Sequence, residues 1–253
     1  MISLQQYHNS LSSSQFRITS GCLKLDELLL GGFPSGLITE LFGASSTGKS
    51  QFLHTLCVTC QLRRSKGGGA GKCIFIDTEG TFRPERLIPI CERFNVSSDI
   101  VLDNIVYARA YNIDHQLSLL ESTISLLKDD TISLLVIDSI SALYRSCLAD
   151  GTNIVERQRH LGLLLKRLTE IATQSNIAVV YSNQILSSIT TSSIEDTERV
   201  VHFGGHVLAH ASNLRLFLSR SSSGQRQVSV FQASFCPETT VPFQLNEAGI
   251  MDT

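Results

Sequence analysis

Long hydrophobic runs are missing from this sequence of 253 residues. Its most apolar stretches, such as Leu134 to Ile137, are far shorter than the ~18 residues that a membrane-spanning helix requires. The first twenty residues are polar and rich in serine, and they contain no apolar core of the kind found in a secretory signal peptide. Together these absences predict a chain that works inside the cell and does not cross a membrane.

Charged residues are also scarce. They make up 17% of the chain, against about 25% in an average domain. The net charge is only -2, so the strongly basic balance that marks many nucleic-acid-binding domains is absent. Any claim of nucleic-acid binding must therefore rest on particular residues. The hydrophobic share of 42% argues against disorder, and the length fits one large domain.

The cysteines lack the pattern of a disulfide-stapled scaffold. Seven is an odd number, and they are scattered along the chain, which favours reduced thiols. Cys57 and Cys60 form a C-x-x-C pair, but they fall on a predicted helix with no second pair nearby. Packing inside the protein is therefore favoured over zinc binding for these two residues.

Strand-like and helix-like stretches alternate through most of the chain. Strands are predicted at 37–42, 73–77, 105–108, 132–138 and 177–182, and helices at 49–64, 85–94, 114–128 and 154–174. This alternation is typical of an α/β fold with a mostly parallel central sheet and helices on both faces. Three further strands, at 214–218, 227–231 and 241–245, predict an antiparallel C-terminal extension. We interpret residues 1–17 as a leader or linker and residues 18–253 as a single core.

A complete phosphate-binding motif follows the first of these strands. It matches G-x-x-x-x-G-K-[ST] and consists of Gly43, Ala44, Ser45, Ser46, Thr47, Gly48, Lys49 and Ser50. In such a loop the backbone amides and the helix N-terminus surround the phosphates, the lysine reaches the β and γ phosphates, and the hydroxyl holds Mg²⁺. We count Gln51, the next residue, among the nucleotide contacts. The motif predicts a P-loop site for ATP and Mg²⁺.

Two carboxylates complete this prediction. Asp138 ends the most apolar strand, where a P-loop enzyme places the acid that holds the metal ion. Glu79 follows the strand that ends at Asp77, so it emerges at the carboxyl edge of the sheet, where α/β proteins bind their ligands. Asp77 is the alternative, but it lies within the end of the strand and is expected to be more buried. We favour Glu79 as the group that activates water.

Several ordered motifs extend around these residues. They are IDTEGTFRPERL at 76–87, YARAYN at 107–112 followed by DHQ at 114–116, DS at 138–139 with ALYR at 142–145, and NQ at 183–184 with GG at 204–205 and AHAS at 209–212. In these motifs the chain resembles the RecA/RadA superfamily, and within it the eukaryotic strand-exchange recombinases and their paralogues. The resemblance runs from about Ile18 to the C-terminus.

The resemblance implies a RecA-like ATPase core. Such a core is a nuclear, DNA-dependent ATPase of homologous recombination and DNA repair, which binds single-stranded DNA, pairs it with double-stranded DNA and exchanges strands. It assembles with itself as a filament or ring, or with a related recombinase subunit. By the same resemblance Glu79 and Lys49 are catalytic, and Gln184 senses the γ-phosphate and relays its state to the DNA-binding loop that follows.

Further roles follow from the resemblance alone. Arg86 and Pro237 would lie near the nucleotide, and His210 would approach the γ-phosphate from a neighbouring subunit. Two loops, at 145–157 and 185–203, would contact DNA. The DNA contacts that we expect there are Arg145, Arg157, Ile189 and Arg199.

Two of the departures from the family pattern concern assembly and DNA binding. Family members usually carry a helix-hairpin-helix domain before the core and a Phe-x-x-Ala segment that docks into the next subunit, whereas Gln5 stands here at the alanine position. The second loop carries Glu195, Asp196 and Glu198 against Arg199, although phosphate contacts require cations. These departures favour an alternative, a recombinase paralogue or mediator that binds ATP and a partner recombinase without exchanging strands. An ATPase of the same fold that is unconnected with DNA is a third hypothesis.

Overall fold

The structure of the chain is a computed structural model. It describes residues 3–5, 15–129, 131–149, 154–186, 201–202, 205–221 and 223–253. The helices are α1 (Leu23–Leu28), α2 (Lys49–Thr59), α3 (Ile88–Arg93), α4 (Ser98–Asp103), α5 (Ile113–Asp129), α6 (Ala142–Ala149), α7 (Ile154–Ser175) and α8 (Gly205–Ala211). The strands are β1 (Arg17–Ile18), β2 (Phe33–Pro34), β3 (Ile38–Gly43), β4 (Lys72–Asp77), β5 (Ile105–Arg109), β6 (Ile132–Asp138), β7 (Ala178–Leu186), β8 (Val201–His202), β9 (Leu214–Arg220), β10 (Arg226–Ala233), β11 (Thr240–Asn246) and β12 (Gly249–Met251).

One large sheet organises the molecule. Its strands lie in the order β12-β11-β10-β9-β3-β7-β6-β4-β5, and β8 pairs with β7 beside this path. The pairs from β9 through β3, β7, β6 and β4 to β5 are parallel. The pairs from β9 outward to β12 are antiparallel. The predicted α/β fold is therefore confirmed, with its mostly parallel sheet and antiparallel C-terminal extension.

Helices cover both faces of this sheet. Along β6, Leu134 and Val136 pack in a cluster that includes Leu56 of α2. Leu135 and Ile137 pack in a second cluster, which includes residues of α7 such as Leu164 and Leu168. Because alternate residues of a strand point to opposite faces, the two clusters lie on opposite sides of the sheet. This explains why β6 is apolar at consecutive positions.

The predicted packing role of the C-x-x-C pair is confirmed. Cys57 lies in α2, Cys60 follows that helix, and both are buried in the first cluster. The Sγ atom of Cys57 lies 3.6 Å from the Sγ atom of Cys73 on β4. The three thiols thus help to pack the P-loop helix against the sheet. Among the described helices, none combines the length and the apolar character needed to cross a bilayer.

Several short elements differ from the prediction. Helix α2 ends at Thr59 rather than at 64, and a 3-10 turn at Pro84–Leu87 precedes α3. The loop expected at 145–157 is helical at both ends, because α6 reaches Ala149 and α7 begins at Ile154. Helix α4 was not predicted because its six residues bury only Val101 and so carry no periodic signal. Strand β12 was missed because it has only three residues.

A buried ion pair ties the P-loop strand to its neighbours. Glu40 on β3 and Arg215 on β9 are register partners, and the Arg215 Nε atom lies 2.6 Å from Glu40 Oε2. The Asn183 side chain on β7 donates a hydrogen bond of 2.8 Å to the other carboxylate oxygen. The guanidinium also lies over the rings of Phe42 and Phe231. These contacts fix three strands just before the P-loop begins.

We expect Arg215→Ala to lower the free energy of unfolding by about 3–5 kcal/mol, because it leaves a buried carboxylate without its cation. Urea denaturation of the purified chain measures this value. The matched control is Arg220→Ala on the same strand, where the exposed side chain donates one hydrogen bond to the Ser46 carbonyl. This control should change the free energy by no more than ~0.5 kcal/mol. Equal effects of the two substitutions would contradict the prediction.

Candidate nucleotide-binding site

The P-loop connects β3 to α2, as its motif predicted. A Cβ atom on Gly43 would lie 2.2 Å from the carbonyl oxygen of Leu218 on β9, so only glycine fits there. Gly48 precedes α2 with a φ angle of +116°, a conformation that side-chain-bearing residues rarely adopt. The two motif glycines therefore allow the chain to turn sharply between a buried strand and a helix N-terminus.

Lys49 lies folded over this loop. Its Nζ atom donates hydrogen bonds to the carbonyl oxygens of Gly43 at 2.9 Å and Ala44 at 2.7 Å. The Thr47 hydroxyl donates to the same Ala44 carbonyl at 2.9 Å. Burial lowers the pKa of Lys49, while the nearby carboxylates of Asp138 and Glu79 raise it. The lysine is thus a desolvated cation at the position where phosphate oxygens would arrive.

Ser50 and Asp138 lie together beside Lys49. The Asp138 carboxylate accepts hydrogen bonds from the hydroxyls of Ser182 and Ser50. Burial raises the pKa of Asp138, and these hydrogen bonds oppose that rise. A hydroxyl and a carboxylate oxygen are ligand types suited to Mg²⁺, which also takes phosphate oxygens and water. These donor types therefore fit a magnesium ion that is shared with phosphate. In the described residues no group of three or more His, Cys, Asp or Glu could hold a metal ion.

Asp77 is buried and shapes the turn after β4. Its Oδ1 atom accepts hydrogen bonds from the backbone amides of Glu79 at 2.9 Å and Gly80 at 2.6 Å. Its Oδ2 atom accepts from the backbone amide of Phe82 at 3.2 Å. The Nη1 atom of Arg109 on β5 forms an ion pair with Oδ1 at 2.9 Å. The carboxylate is therefore fully occupied, which confirms the expectation that Asp77 is the more buried of the two acids.

Glu79 faces the cleft and meets three donors at one oxygen. Its Oε1 atom accepts a hydrogen bond from the Ser139 hydroxyl at 2.6 Å and another from the Gln184 amide at 3.3 Å. The Nη2 atom of Arg145 lies 3.5 Å from the same oxygen. The Nη1 atom of Arg145 donates to the side-chain oxygen Oε1 of Gln184 at 2.6 Å. The structure thus brings two predicted catalytic residues and a predicted DNA contact into one network.

A cleft of about 560 Å³ opens over these groups. The predicted site residues that line it are Ser45, Ser46, Gly48, Lys49, Ser50, Gln51, Glu79, Arg86, Asp138 and Gln184. The residues that line it without having been predicted are His54, Thr81, Arg83, Ser182, Arg226 and Leu245. One cavity therefore collects side chains from the P-loop, from the ends of β4, β6 and β7, and from β10 and β11.

Two of the missed residues have a side-chain nitrogen that is buried without a hydrogen-bond partner. His54 lies one helical turn after Ser50 and Gln51 on α2, and this spacing could have revealed it. Its Nδ1 atom is buried without a hydrogen-bond partner, and its ring packs against Phe82. Arg226 belongs to β10, and its Nε atom is likewise buried without a partner. No motif marks Arg226, because only the pairing of distant strands brings it to the cleft.

Other predicted site residues lie elsewhere. Pro237 and His210 are both exposed, Pro237 after β10 and His210 in the last turn of α8, and the residues described around the cleft do not include them. Arg157 belongs to α7. The predicted DNA contacts Ile189 and Arg199 lie outside the described residues.

We expect Lys49→Ala to abolish stabilisation of the chain by ATP and Mg²⁺, because the β and γ phosphates lose their buried cation. At about a hundredfold excess of ligand over its Kd, binding stabilises a folded protein by ~2.7 kcal/mol, which appears as a rise in Tm. Thermal unfolding with and without nucleotide measures this rise. The control Lys66→Ala, at an exposed lysine, should keep it. A full rise in the Lys49 variant would contradict the P-loop assignment.

His54 should make the chain less stable in mild acid. Burial, assisted by the nearby Arg86, lowers the pKa of His54 to about 4 from its ordinary value of 6.5. Between these values the unfolded chain binds a proton that the folded chain does not, so the free energy of unfolding falls as the pH falls. His54→Gln should reduce this slope by up to ~1.4 kcal/mol per pH unit. Urea denaturation at a series of pH values tests this, and an unchanged slope would count against it.

Comparison with known proteins agrees with this geometry. A family model described as Rad51 matches residues 12–253. The DNA repair protein rhp51 of Schizosaccharomyces pombe is 44% identical over 241 residues, which are 95% of this chain and 66% of that protein. The meiotic recombination protein DMC1 homolog B of Oryza sativa subsp. japonica is 45% identical over 239 residues, 94% of this chain and 69% of that protein. The DNA repair protein RAD51 of Mycosarcoma maydis is 42% identical over 235 residues, 93% of this chain and 69% of that protein.

The chain spans about two thirds of the length of these curated relatives. The family model and the identities cover nearly all of its residues, and the sheet order and P-loop geometry agree with a RecA-like core. The chain belongs to the Rad51 family.

Proposed function

We propose that this chain is an ATP-dependent DNA recombinase of homologous recombination and double-strand-break repair. In this proposal it binds single-stranded DNA, hydrolyses ATP in response and promotes exchange of strands with double-stranded DNA. The observation that carries the proposal is the convergence of Lys49, Ser50, Asp138 and Glu79 on one cleft. The names of the relatives, which refer to DNA repair and meiotic recombination, support DNA as the partner.

In this proposal the residues of the cleft have separate roles in ATP hydrolysis. Lys49 exchanges its carbonyl acceptors for phosphate oxygens and so neutralises charge that develops during phosphoryl transfer. Ser50 and Asp138 would hold Mg²⁺, which supplies further positive charge to the β and γ phosphates when bound. Glu79, which lies within hydrogen-bonding distance of Ser139 and Gln184, orients the attacking water and accepts its proton.

The remaining assignments are part of the same proposal. Arg86 borders the cleft and could contact the base, and Pro237 would join it there only after a rearrangement or from a neighbouring subunit. His210 is exposed, as a residue that reaches the nucleotide of another subunit must be. Arg145, Arg157, Ile189 and Arg199 would contact DNA, and the chain would act in the nucleus as a filament or ring.

A second candidate function is that of a paralogue or mediator. Gln5 stands where the family carries a small alanine that docks into the next subunit, and it is exposed in the structure. Burying its amide without a partner would cost about 1–3 kcal/mol. This cost disfavours self-assembly by that route, and it therefore motivates a function other than that of a filament-forming recombinase.

ATP hydrolysis with and without single-stranded DNA, together with strand exchange on homologous duplex, tests the proposal. We expect DNA to stimulate hydrolysis and strand exchange to occur with the wild-type chain. Glu79→Gln should keep the ATP-dependent rise in Tm but slow hydrolysis by about 10²–10⁴-fold, because it removes the proton acceptor. The exposed Glu121→Gln is the matched control.

Three outcomes separate the hypotheses. Hydrolysis that is indifferent to DNA would support an ATPase unconnected with DNA. A stable complex with a full-length recombinase, with no strand exchange by this chain alone, would support the mediator. Absence of both DNA stimulation and strand exchange would overturn the proposal. Electron microscopy with single-stranded DNA and a non-hydrolysable ATP analogue shows whether this chain alone forms filaments.

A further inference from the structure

Arg145 contacts both Glu79 and Gln184, two residues that line the cleft. Its Nη1 atom donates to the side-chain oxygen Oε1 of Gln184 at 2.6 Å, and its Nη2 atom lies 3.5 Å from Glu79 Oε1. The Gln184 amide in turn donates to that Glu79 oxygen at 3.3 Å. The three side chains therefore form a closed triangle of contacts, in which the Arg145 guanidinium contacts both Glu79 and Gln184.

This triangle limits what Glu79 can do. Its Oε1 atom already meets donors from Ser139, Gln184 and Arg145. Both polar atoms of the Gln184 side-chain amide are also bonded: Oε1 accepts from Arg145, and Nε2 donates to Glu79. Release of Arg145 would free both residues for water and phosphate.

Arg145 is also open to a second partner. The side chains of Arg145 and Glu79 keep 24% and 26% of their exposure, so the pair lies at the surface of the cleft rather than inside the core. The planar guanidinium binds a phosphate with the same geometry as a carboxylate. Lys49, by contrast, is buried and bonded to the loop carbonyls. Arg145 is therefore an accessible cation in direct contact with Glu79 and Gln184, whereas the exposed Arg83 and Arg86 line the cleft without a described contact to either residue.

We propose that Arg145 is a positioning residue that holds Glu79 and Gln184 in the DNA-free chain, and that a phosphate of single-stranded DNA competes with Glu79 for its guanidinium. The inference rests on the proposed function, since it concerns how DNA controls hydrolysis at that site. Binding of DNA and release of Glu79 are then a single exchange of partners. By thermodynamic reciprocity, whatever weakens the hold of Glu79 on Arg145 must strengthen DNA binding.

This reciprocity gives a test that does not depend on hydrolysis. We expect Glu79→Gln to bind a fluorescent oligothymidylate about fivefold more tightly than wild type, the lower end of usual couplings between sites. The Kd is measured by anisotropy with a saturating non-hydrolysable ATP analogue. In an Arg145→Gln background the same Glu79 substitution should leave the Kd unchanged. Glu121→Gln and Arg167→Gln, which break a surface pair far along α5 and α7, are the matched controls.

Hydrolysis gives the second measurement. Without DNA, Arg145→Gln should hydrolyse ATP faster than wild type and approach the DNA-stimulated rate of wild type. A merely structural role for Arg145 would instead lower this rate, and a basal rate at or below that of wild type would overturn the inference. The inference would also be overturned if Glu79→Gln bound oligothymidylate no more tightly than wild type, or if neither the wild-type chain nor this variant bound DNA.

The two proposals fail in different ways. If the wild-type chain hydrolyses no ATP, the proposed recombinase function fails. The affinity of Glu79→Gln for oligothymidylate still decides whether Glu79 and a DNA phosphate compete for Arg145. If hydrolysis responds to DNA but Glu79→Gln binds DNA no more tightly, the proposed function stands and the exchange of partners at Arg145 is wrong.

Discussion

The buried carboxylate of Asp77 fixes the geometry on which the cleft depends. Its oxygens accept the backbone amides of Glu79, Gly80 and Phe82, and Arg109 balances its charge. Without these bonds, three amides at the carboxyl end of β4 would lack acceptors, at a cost of about 1–3 kcal/mol each. The chain therefore turns sharply at this point and presents Glu79 to the ends of β6 and β7. A fully buried acid thus positions Glu79, the acid to which the proposed function assigns the activation of water.

Strand order explains why the other residues converge. In the parallel part of the sheet Asp77 is the register partner of Asp138, and Gly43 is the partner of Gln184. All parallel strands end at one edge, so side chains separated by many residues in sequence meet there. The Glu40–Arg215 pair locks β3 against β9 three residues before Gly43. The stability of the core and the position of the phosphate loop are therefore set by the same contacts.

Local sequence patterns predicted the parts of the site that local geometry determines. A glycine-rich loop between a strand and a helix, and acids at strand ends, could be located because strand, turn and helix preferences act over a few residues. Arg226 could not, since its place in the cleft depends on how β10 pairs with β9. The sequence did not predict the contact between Arg145 and Glu79. Helix α6 is short, and the resemblance implied that residues from 145 onward form a loop. Contacts between distant elements leave no periodic signal in either segment.

The scarcity of charge gives the Arg145 contact its significance. A net charge of -2 supplies no overall positive charge to attract DNA, so in the proposed function the DNA affinity comes from individual cations. If one of those cations is already paired with Glu79 and Gln184, every DNA contact it makes is made at the expense of that pair. DNA binding is then weakened by the free energy needed to break the contacts of Arg145 with Glu79 and Gln184. Breaking the same contacts releases these two residues in the ATP site. In such a chain, weak DNA binding and control of hydrolysis by DNA are two consequences of one shared guanidinium.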